Sequence, residues 1–574
     1  MLASNQETAG AAKLPARLTP GCNRSEAAAT GAGGAQHEVH VQPSEEMPTG
    51  IDLAHVAIRF LPSFSAVGER RSCRGRDQRP YSPQDHWPNP GVPGVRTAER
   101  EPSGHRKRVS ATVTRTEAST PGEAELVEAL SGVLGADQLL LGAAADPYWR
   151  ELKPNPREPI AVAKPGTTEE VAAVVRLCHQ RGVPVVARGH GSSLAGGVVP
   201  SPGGIVLSLE RLDTLAIDPA NSWARAGAGT VTARLQAEAA TFGFMYPPDP
   251  LSAEFSTVGG NVATNAGGGS ALKYGTTADY VLGMTAVLAD GRILRLGGTT
   301  RRGGGGYRLA QLFVGSEGTL GIITELSLRL VPLAAQRAAA LIGYAELSEL
   351  GPALQELLVH GPLPAAVEVL DRGALELMSD RLPPGFPGDL AAALLVDVDG
   401  HDPGLVQLEV EAAADRMGGT DNRISQSAEE RRRLWELVTG LGRAIRQTGA
   451  AALQEDVSVP VDRVGDMLHC LQDLARREGV RLATTGHAGD GSLHPWLLLD
   501  GLSGAVQASR LQELIVETAR ELGGSLAGEY GIGLLKRELL SAENDPEALR
   551  IMRQLKGLLD PDGLLNPGKL LPEP

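Results

Sequence analysis

Glycine is crowded into one stretch of this chain. Residues 189–321 carry 26 glycines in 133 positions, out of 71 in the whole 574-residue sequence. Glycine adopts positive φ freely and lets backbone N–H groups approach a neighbour or an anion closely. A stretch this rich in it must be built around tight loops. No G-X-Y period runs through it, which excludes a collagen helix. The glycines gather in four loops, at 188–197, 247–269, 273–283 and 315–321, each mixed with Ser, Thr or Asn donors. One such loop alone could be only a tight turn, the lesser of its two readings. Four together suit an extended, pyrophosphate-containing ligand.

The common phosphate motifs do not account for them. A Rossmann GxGxxG opens a helix after a strand, but Gly189-x-Gly191 and Gly227-x-Gly229 both lack the third glycine. The stretch 563–569 reads GLLNPGK, which follows a Walker A loop up to its lysine. Leu570 then stands where a hydroxyl would hold Mg²⁺, so an NTPase is rejected.

The formal net charge of −14 divides into +3 over residues 1–120 and −17 over the rest. An acidic body argues against a broad nucleic-acid surface. Cys22, Cys73, Cys178 and Cys470 stand far apart with no CxxC pair, so no zinc finger, iron–sulfur cluster or disulfide framework is expected. A reducing cytoplasm is the simplest compartment. No run of 18 apolar residues is present to span a membrane; peripheral attachment at a membrane surface stays open.

Residues 1–118 hold Pro, Gly and Arg clusters, an isolated apolar patch at 51–60 and a basic run at Arg106, Lys107 and Arg108. They read as a disordered or non-native extension. From 120 onward the apolar spacing tightens. It predicts helices over 123–134 and 169–182, the second capped near Thr167 and Thr168, and strands over 160–163, 184–187 and 205–209. Beyond Pro332 glycine thins out. There the pattern predicts helices over 339–358 and 427–448 and a strand over 393–398. The fold class is α+β, with a glycine-rich domain at 119–333 and a second domain at 334–574 whose helices cover an antiparallel sheet.

Several segments are specific enough to carry a resemblance. PVVARGHGSSLAGG (184–197), YPPDPLSAEFSTVGGNVATNAGG (246–268) and LFVGSEGTLGIITELSLRL (312–330) resemble the FAD segments of the FAD-linked oxidases with a PCMH-type (vanillyl-alcohol-oxidase-like) domain. HAGDGSLHP (487–495), GEYGIGLLKR (528–537) and DPDGLLNPGK (560–569) resemble that family's cap and closing segment. The D-lactate dehydrogenase and glycolate oxidase flavoprotein branch is the nearest in pattern. The resemblance implies a two-part PCMH-type FAD-binding domain followed by a ferredoxin-like α+β substrate cap. It implies that Arg188, Gly189, His190, Gly191, Ser192 and Ser193 hold the pyrophosphate. Pro248, Asp249, Ser256, Thr257, Gly260, Asn261 and Thr264 would border the flavin. Glu317, Gly318, Gly321 and Ile323 would lie along the adenosine half, and Asn566 would close over the ring. Some members tether FAD through a His just after the paired small residues of the first loop. Ser192 stands there, with His190 two residues earlier, so noncovalent FAD is expected.

His487 and His494 flank Asp490-Gly491, a strong two-residue hairpin signal. With those two residues as the loop, the histidines face each other with Cβ atoms roughly 4.5–5.5 Å apart. Both could then reach one divalent ion at about 2.0–2.1 Å. The plainer reading is a hydrogen-bonded pair supporting the turn. The resemblance favours the metal (Zn, Mn or Fe) and adds Glu529 as third ligand. It implies oxidation of a (D-)2-hydroxy acid such as D-lactate or glycolate, in which a metal lowers the hydroxyl pKa, a base takes the proton and FAD takes the hydride. His487, His494 and Tyr530 are the catalytic residues on this reading.

Two positions depart from the family pattern. Tyr530 stands where many members have a His; a neutral Tyr, with an ordinary pKa near 10, donates a hydrogen bond but is a poor base. Val438, three residues after Trp435, stands where many members carry an Arg for the substrate carboxylate, and Arg443 and Arg446 lie nearby. Without an iron–sulfur motif, electrons must leave to a separate acceptor: a quinone, a cytochrome, an electron-transfer protein or oxygen. An iron–sulfur subunit would be a fitting partner. The alternatives on the same fold are a non-redox, alkyl-glycerone-phosphate-synthase-like reaction and a flavin-binding subunit of a larger complex.

Overall fold

The computed structural model describes residues 121–150, 152, 157–303, 305–499 and 504–573. The expectations for residues 1–118 lie outside these. The architecture is α+β, as the sequence pattern predicts, and opens with two small sheets that share one core. In the first, strands Val162–Ala163, Ile205–Ser208 and Val185–Arg188 run parallel, with Leu139–Leu140 antiparallel on the outside. The helix Thr168–His179 begins where Thr167 accepts a hydrogen bond from the Glu170 amide, a capping arrangement that satisfies one of the free N–H groups of the first turn. The second sheet is antiparallel and ordered Leu215–Asp218, Trp223–Gly227, Ile322–Arg329, Val281–Val287, Ile293–Gly297. A single apolar core runs through both, from Leu126 and Val174 to Leu207, Ala226 and Leu326, each fully buried.

Glycine is structurally required where this part turns. A Cβ on Gly227 would lie 2.1 Å from the Leu212 carbonyl oxygen, and one on Gly229 would lie 2.2 Å from that of Leu209. Backbone atoms cannot step aside as a flexible side chain can, so only glycine fits there.

Apart from the two-stranded pair of Phe244–Met245 with Val331–Pro332, the remaining strands form one eight-stranded sheet. Its order is Asp421–Ile424, Gln336–Tyr344, Ala392–Gly400, Ala366–Asp371, Arg481–His487, Ser492–Leu499 and Ala451–Gln454, with Val457–Ser458 also pairing to Ser492–Leu499. Every pairing is antiparallel. Both faces are covered. Ala338, Ala340 and Ile342 join one core with the helices Leu350–His360, Pro403–Met417 and Val464–Glu478. Ala339 and Leu341 join a second core with Arg372–Leu377, Ala428–Thr439 and Leu441–Gln447.

This two-sided burial corrects one expectation. Residues 339–358 do not form one helix; they divide into the strand Gln336–Tyr344 and the helix Leu350–His360. A strand buried on both faces loses its polar–apolar alternation, and the alanine-rich QRAAALIGY then reads as helix by propensity. The predicted helix at 427–448 is present but interrupted at Gly440.

The chain returns to the first sheet after the helix Pro546–Leu559. Val185 donates its amide to the Leu564 carbonyl at 2.8 Å, and Asn566 donates to the Val185 carbonyl at 2.8 Å. The closing segment thus pairs along an edge strand of the glycine-rich part. No helix among the described residues is long and apolar enough to cross a membrane.

Gly229→Ala is expected to destabilise the protein by about 1–3 kcal/mol through backbone overlap, read as a lower midpoint in thermal unfolding. An unchanged midpoint would show that this turn can relax.

Candidate active site

The site is built on one face of the eight-stranded sheet. In the hairpin of Arg481–His487 with Ser492–Leu499, His487 pairs with Ser492 and His494 pairs with Thr485. The loop therefore spans four residues, 488–491, and not the two expected from Asp490-Gly491. Gly491 (φ +85) still makes the turn, since a Cβ there would meet the Val459 carbonyl oxygen at 1.8 Å. The histidines are diagonal neighbours and do not face each other directly. They keep a common face because the register differs by an even number of residues, and side chains alternate with period two. Their ring centroids lie 5.1 Å apart, at 80°.

Glu529 completes the group. One ligand-type atom from each of His487, His494 and Glu529 lies within 4.8 Å of the others. The Glu529 carboxylate is delivered by a loop that Asp456 holds: Asp456 Oδ2 accepts from the amides of Gly528, Glu529 and Tyr530 at 2.9, 2.8 and 2.8 Å. On the far side, Glu368, directly paired with His487 across the sheet, sits 2.7 Å from His487 Nδ1. His487 Nε2 lies 2.7 Å from Glu529 Oε1 but is not aligned with it as a hydrogen bond. Both ring nitrogens of buried His494 lack a hydrogen-bond partner. Buried polar atoms are almost always satisfied, so these nitrogens need a further group.

Electrostatics follow from this crowding. Burial opposes a charge on His487, but the carboxylates of Glu368 and Glu529 prevail and raise its pKa well above the ordinary imidazole value. Burial likewise opposes the Asp456 carboxylate, yet His494, Lys536 and the loop amides hold it far below the usual range. Burial, together with Asp456 and Glu529, pushes Tyr530 well above the ordinary phenol value. Tyr530 stacks on His494 with centroids 5.0 Å apart at 7°, and its oxygen accepts from Gln454 Nε2 at 2.7 Å. It is held neutral.

These side chains open onto a cavity of about 500 Å³ whose opposite wall is the glycine-rich loops. Its lining includes all of Arg188, Gly189, His190, Gly191, Ser192 and Ser193. Thr257, Gly260, Asn261, Thr264, Glu317, Gly318, Gly321 and Ile323 also line it, together with His494, Glu529 and Tyr530. Pro248, Asp249, Ser256, Asn566 and His487 stand behind this surface. Asp249 accepts from the Ser270 amide and hydroxyl at 3.0 and 2.6 Å, and Ser256 bonds Thr232 at 3.1 Å. Asn566 donates to the carbonyls of Gly197 and Glu317 at 2.9 and 2.7 Å, so it pins two glycine-rich loops together. The Glu317 carboxylate accepts from the amides of Ile532 and Gly533 at 2.7 and 2.8 Å, tying the glycine-rich wall to the loop that carries Glu529.

The wall fits a flavin dinucleotide. Its size falls within the ~300–1,000 Å³ of small-molecule sites. Gly189 packs where a Cβ would lie 2.3 Å from Thr257 Oγ1, so the first and second loops close on each other only because glycine is there.

Sequence reasoning did not single out Glu368, Asp456, Gln454 or Trp496. Glu368 had a readable signal: it is one of two charged residues, with Asp371, within AVEVLD, a strand buried at all six positions. Asp456 had none, because its three amide partners lie 72 to 74 residues away.

Asp456→Ala should orphan those three amides, a cost of ~1–3 kcal/mol for each group left buried and unsatisfied. Thermal unfolding measures it; a midpoint equal to the parent's would mean that water or another group replaces the carboxylate.

Two family profiles match the chain: the FAD binding domain over residues 159–297 and the C-terminal domain of FAD linked oxidases over residues 333–570. The glycolate oxidase subunit GlcD of Bacillus subtilis is 34% identical, with 76% of this chain and 92% of that protein covered. A D-lactate dehydrogenase of Archaeoglobus fulgidus is 36% identical, with 73% and 93% covered. Among solved structures, p-cresol methylhydroxylase with substrate bound shares the fold at a TM-score of 0.64 and 17% identity, over 79% of this chain and 97% of that one. The glycine-rich wall falls largely within the matched FAD binding domain, and the chain belongs to the FAD-linked oxidases, a family of FAD-dependent oxidoreductases with a PCMH-type FAD-binding fold.

Proposed function

We propose that this protein is a flavoprotein dehydrogenase that oxidises a 2-hydroxy acid, with a divalent metal held by His487, His494 and Glu529. The observation that carries this is the convergence of three buried ligand atoms, with both nitrogens of His494 unsatisfied, on the wall of the FAD cavity. The names of the relatives from Bacillus and Archaeoglobus support the substrate class.

FAD, held by the glycine-rich loops, would supply the acceptor for the hydride lost from the substrate carbon. A divalent cation at the triad would supply Lewis acidity toward a hydroxyl and carboxylate. The residues fit such an ion. Two imidazoles and a carboxylate with one open side match the ligand types of Zn, Mn or Fe. Glu368 at His487 and Asp456 near His494 are the carboxylates that orient metal-bound histidines elsewhere. The carboxylates of Glu368 and Glu529, each 2.7 Å from a nitrogen of His487, mark a place where positive charge is stabilised.

The other polar groups have orienting roles. Gln454 donates to the Tyr530 oxygen, which leaves the Tyr530 proton free to point into the cavity as a hydrogen-bond donor. Ser192 and Ser193 line the first loop as hydroxyl donors for the pyrophosphate, beside Arg188. With Ser192 at the tether position, FAD is held noncovalently. The acceptor of the electrons is a separate molecule or subunit.

The direct test is anaerobic addition of 2-hydroxy acids to the purified flavoprotein. Bleaching of the flavin absorbance is expected; no bleaching across both enantiomers of a broad panel would refute the proposal. His494→Asn is expected to lose bound metal and at least ~100-fold of the bleaching rate, on the scale at which metal-orienting groups matter, with FAD content retained. Metal retained at full stoichiometry would remove the triad from the site. Acid precipitation should leave the flavin in the supernatant; flavin in the pellet would reveal a covalent bond.

A further inference from the structure

Arg443 and Arg446 are cavity-lining cations with no assigned role. They lie three residues apart on the helix Leu441–Gln447 and so share a face. Both line the FAD cavity, with Val438 and Thr439 between them and the rest of the wall. Among the described residues neither guanidinium forms an ion pair, although neighbouring arginines do: Arg431 pairs with Asp397 at 2.6 Å and Arg433 with Glu429 at 2.5 Å. In a chain of net charge −14, two exposed guanidinium groups without a carboxylate partner on one cavity wall offer a place for an anion. Apart from them, the basic side chains on that wall are Arg188, His190 and His494. Arg188 belongs to the glycine-rich loop, where it packs 4.9 Å from the Tyr148 ring.

Their position relative to the triad sets the length of that anion. Trp496 lies two residues beyond His494 on the same strand and face, a step of about 7 Å. Gln454 is its cross-strand partner. A Cβ on Gly442 would lie 3.6 Å from Arg446 Nη1 and 3.8 Å from the Trp496 indole, so the guanidinium sits beside Trp496. The order along the wall is therefore Glu529 and His494, then Trp496 and Gln454, then Arg446. Lactate or glycolate held at the triad is too short to reach it. Val438, close by, offers no charge.

We propose that the substrate is a 2-hydroxy acid with a second anionic group several bonds from its hydroxyl, and that Arg443 and Arg446 select it. This rests on the hydroxy-acid reading of the site and narrows its substrate class. The guanidinium fork suits a carboxylate bidentately. Because both residues stand at the exposed mouth, part of the attraction is screened, and each is expected to contribute about tenfold.

The experiment compares lactate, malate, 2-hydroxyglutarate and 2-hydroxyadipate, both enantiomers of each, by anaerobic flavin reduction in the FAD- and metal-loaded protein. The same set is run for Arg443→Gln, Arg446→Gln and the double variant. The diacids are expected to exceed lactate in kcat/KM by at least tenfold. That ratio should fall at least tenfold in the double variant, with flavin content and thermal midpoint kept. A binding readout accompanies it: 2-oxoglutarate should perturb the flavin spectrum, with a Kd about tenfold weaker in each single variant. Lactate equal to the diacids, or a ratio and Kd unmoved by the substitutions, would overturn the selection by arginine while leaving the dehydrogenase intact. No reduction by any acid would overturn both.

Discussion

The Asp456 carboxylate is fully buried and spends one oxygen on three consecutive backbone amides, those of Gly528, Glu529 and Tyr530. A buried charge is costly unless every lone pair finds a donor. Here the three amides satisfy Oδ2, while Oδ1 has no hydrogen-bond donor and lies 3.4 Å from His494 Nδ1. Lys536 in turn bonds the Asp456 and Leu526 carbonyls, so the same short segment is fastened twice. The loop it fastens presents Glu529 to His487 and Tyr530 to His494. Just beyond it, Ile532 and Gly533 donate to Glu317 from the FAD wall. One carboxylate thus fixes the loop on which the group of His487, His494 and Glu529 and the junction with the glycine-rich wall both depend.

The sheet beneath supplies the rest of the order. One of its faces is apolar at Leu370, Ala483 and Leu498, where helices cover it. Along the same face it changes to Trp496, then to Thr485 and His494, then to His487 and Glu368. The change occurs where helical cover ends and the glycine loops begin. Gly269 marks the junction, since a Cβ there would meet the Glu368 carboxylate at 2.5 Å and the Trp435 ring at 3.2 Å. The polar end of the face needs no solvent because the FAD domain closes over it.

Legibility in the sequence followed locality. The glycine loops, the Thr167 cap and the common face of His487 and His494 depend on residues close in sequence or on period-two alternation, and all were readable. The diagonal register was not. Asp490-Gly491 signals a two-residue turn, but Ala488 is fully buried and the loop closes by bonding the amides of Asp490 and Gly491 to the His487 carbonyl. Tertiary packing chose the longer turn. The strand at Gln336–Tyr344 was misread for a related reason: packing on both faces, and not local propensity, decides its state. Of the site, the cavity residues that lie in the glycine-rich and His-containing motifs were legible, whereas Gln454 and Trp496, which also line it, were not. Those that orient them from behind, Glu368 and Asp456, act through partners in other strands and loops.

Charge balance explains why the two ends of the cavity wall should carry cations. Glu368, Glu529 and Asp456 surround two buried imidazoles at the cavity wall, and Glu455 lies next along the chain, 3.3 Å from Lys536. An anionic acid approaching that group alone would meet like charge at low dielectric, where repulsion is strong. A divalent ion at the triad would reverse the sign locally. At the other end, Arg443 and Arg446 place positive charge at the mouth, where an entering anion first meets the wall. Between them Trp496, Val438 and Thr439 carry no charge. A molecule anionic at both ends and neutral between would match that sequence of potentials, whereas a short monoacid would use only the inner half.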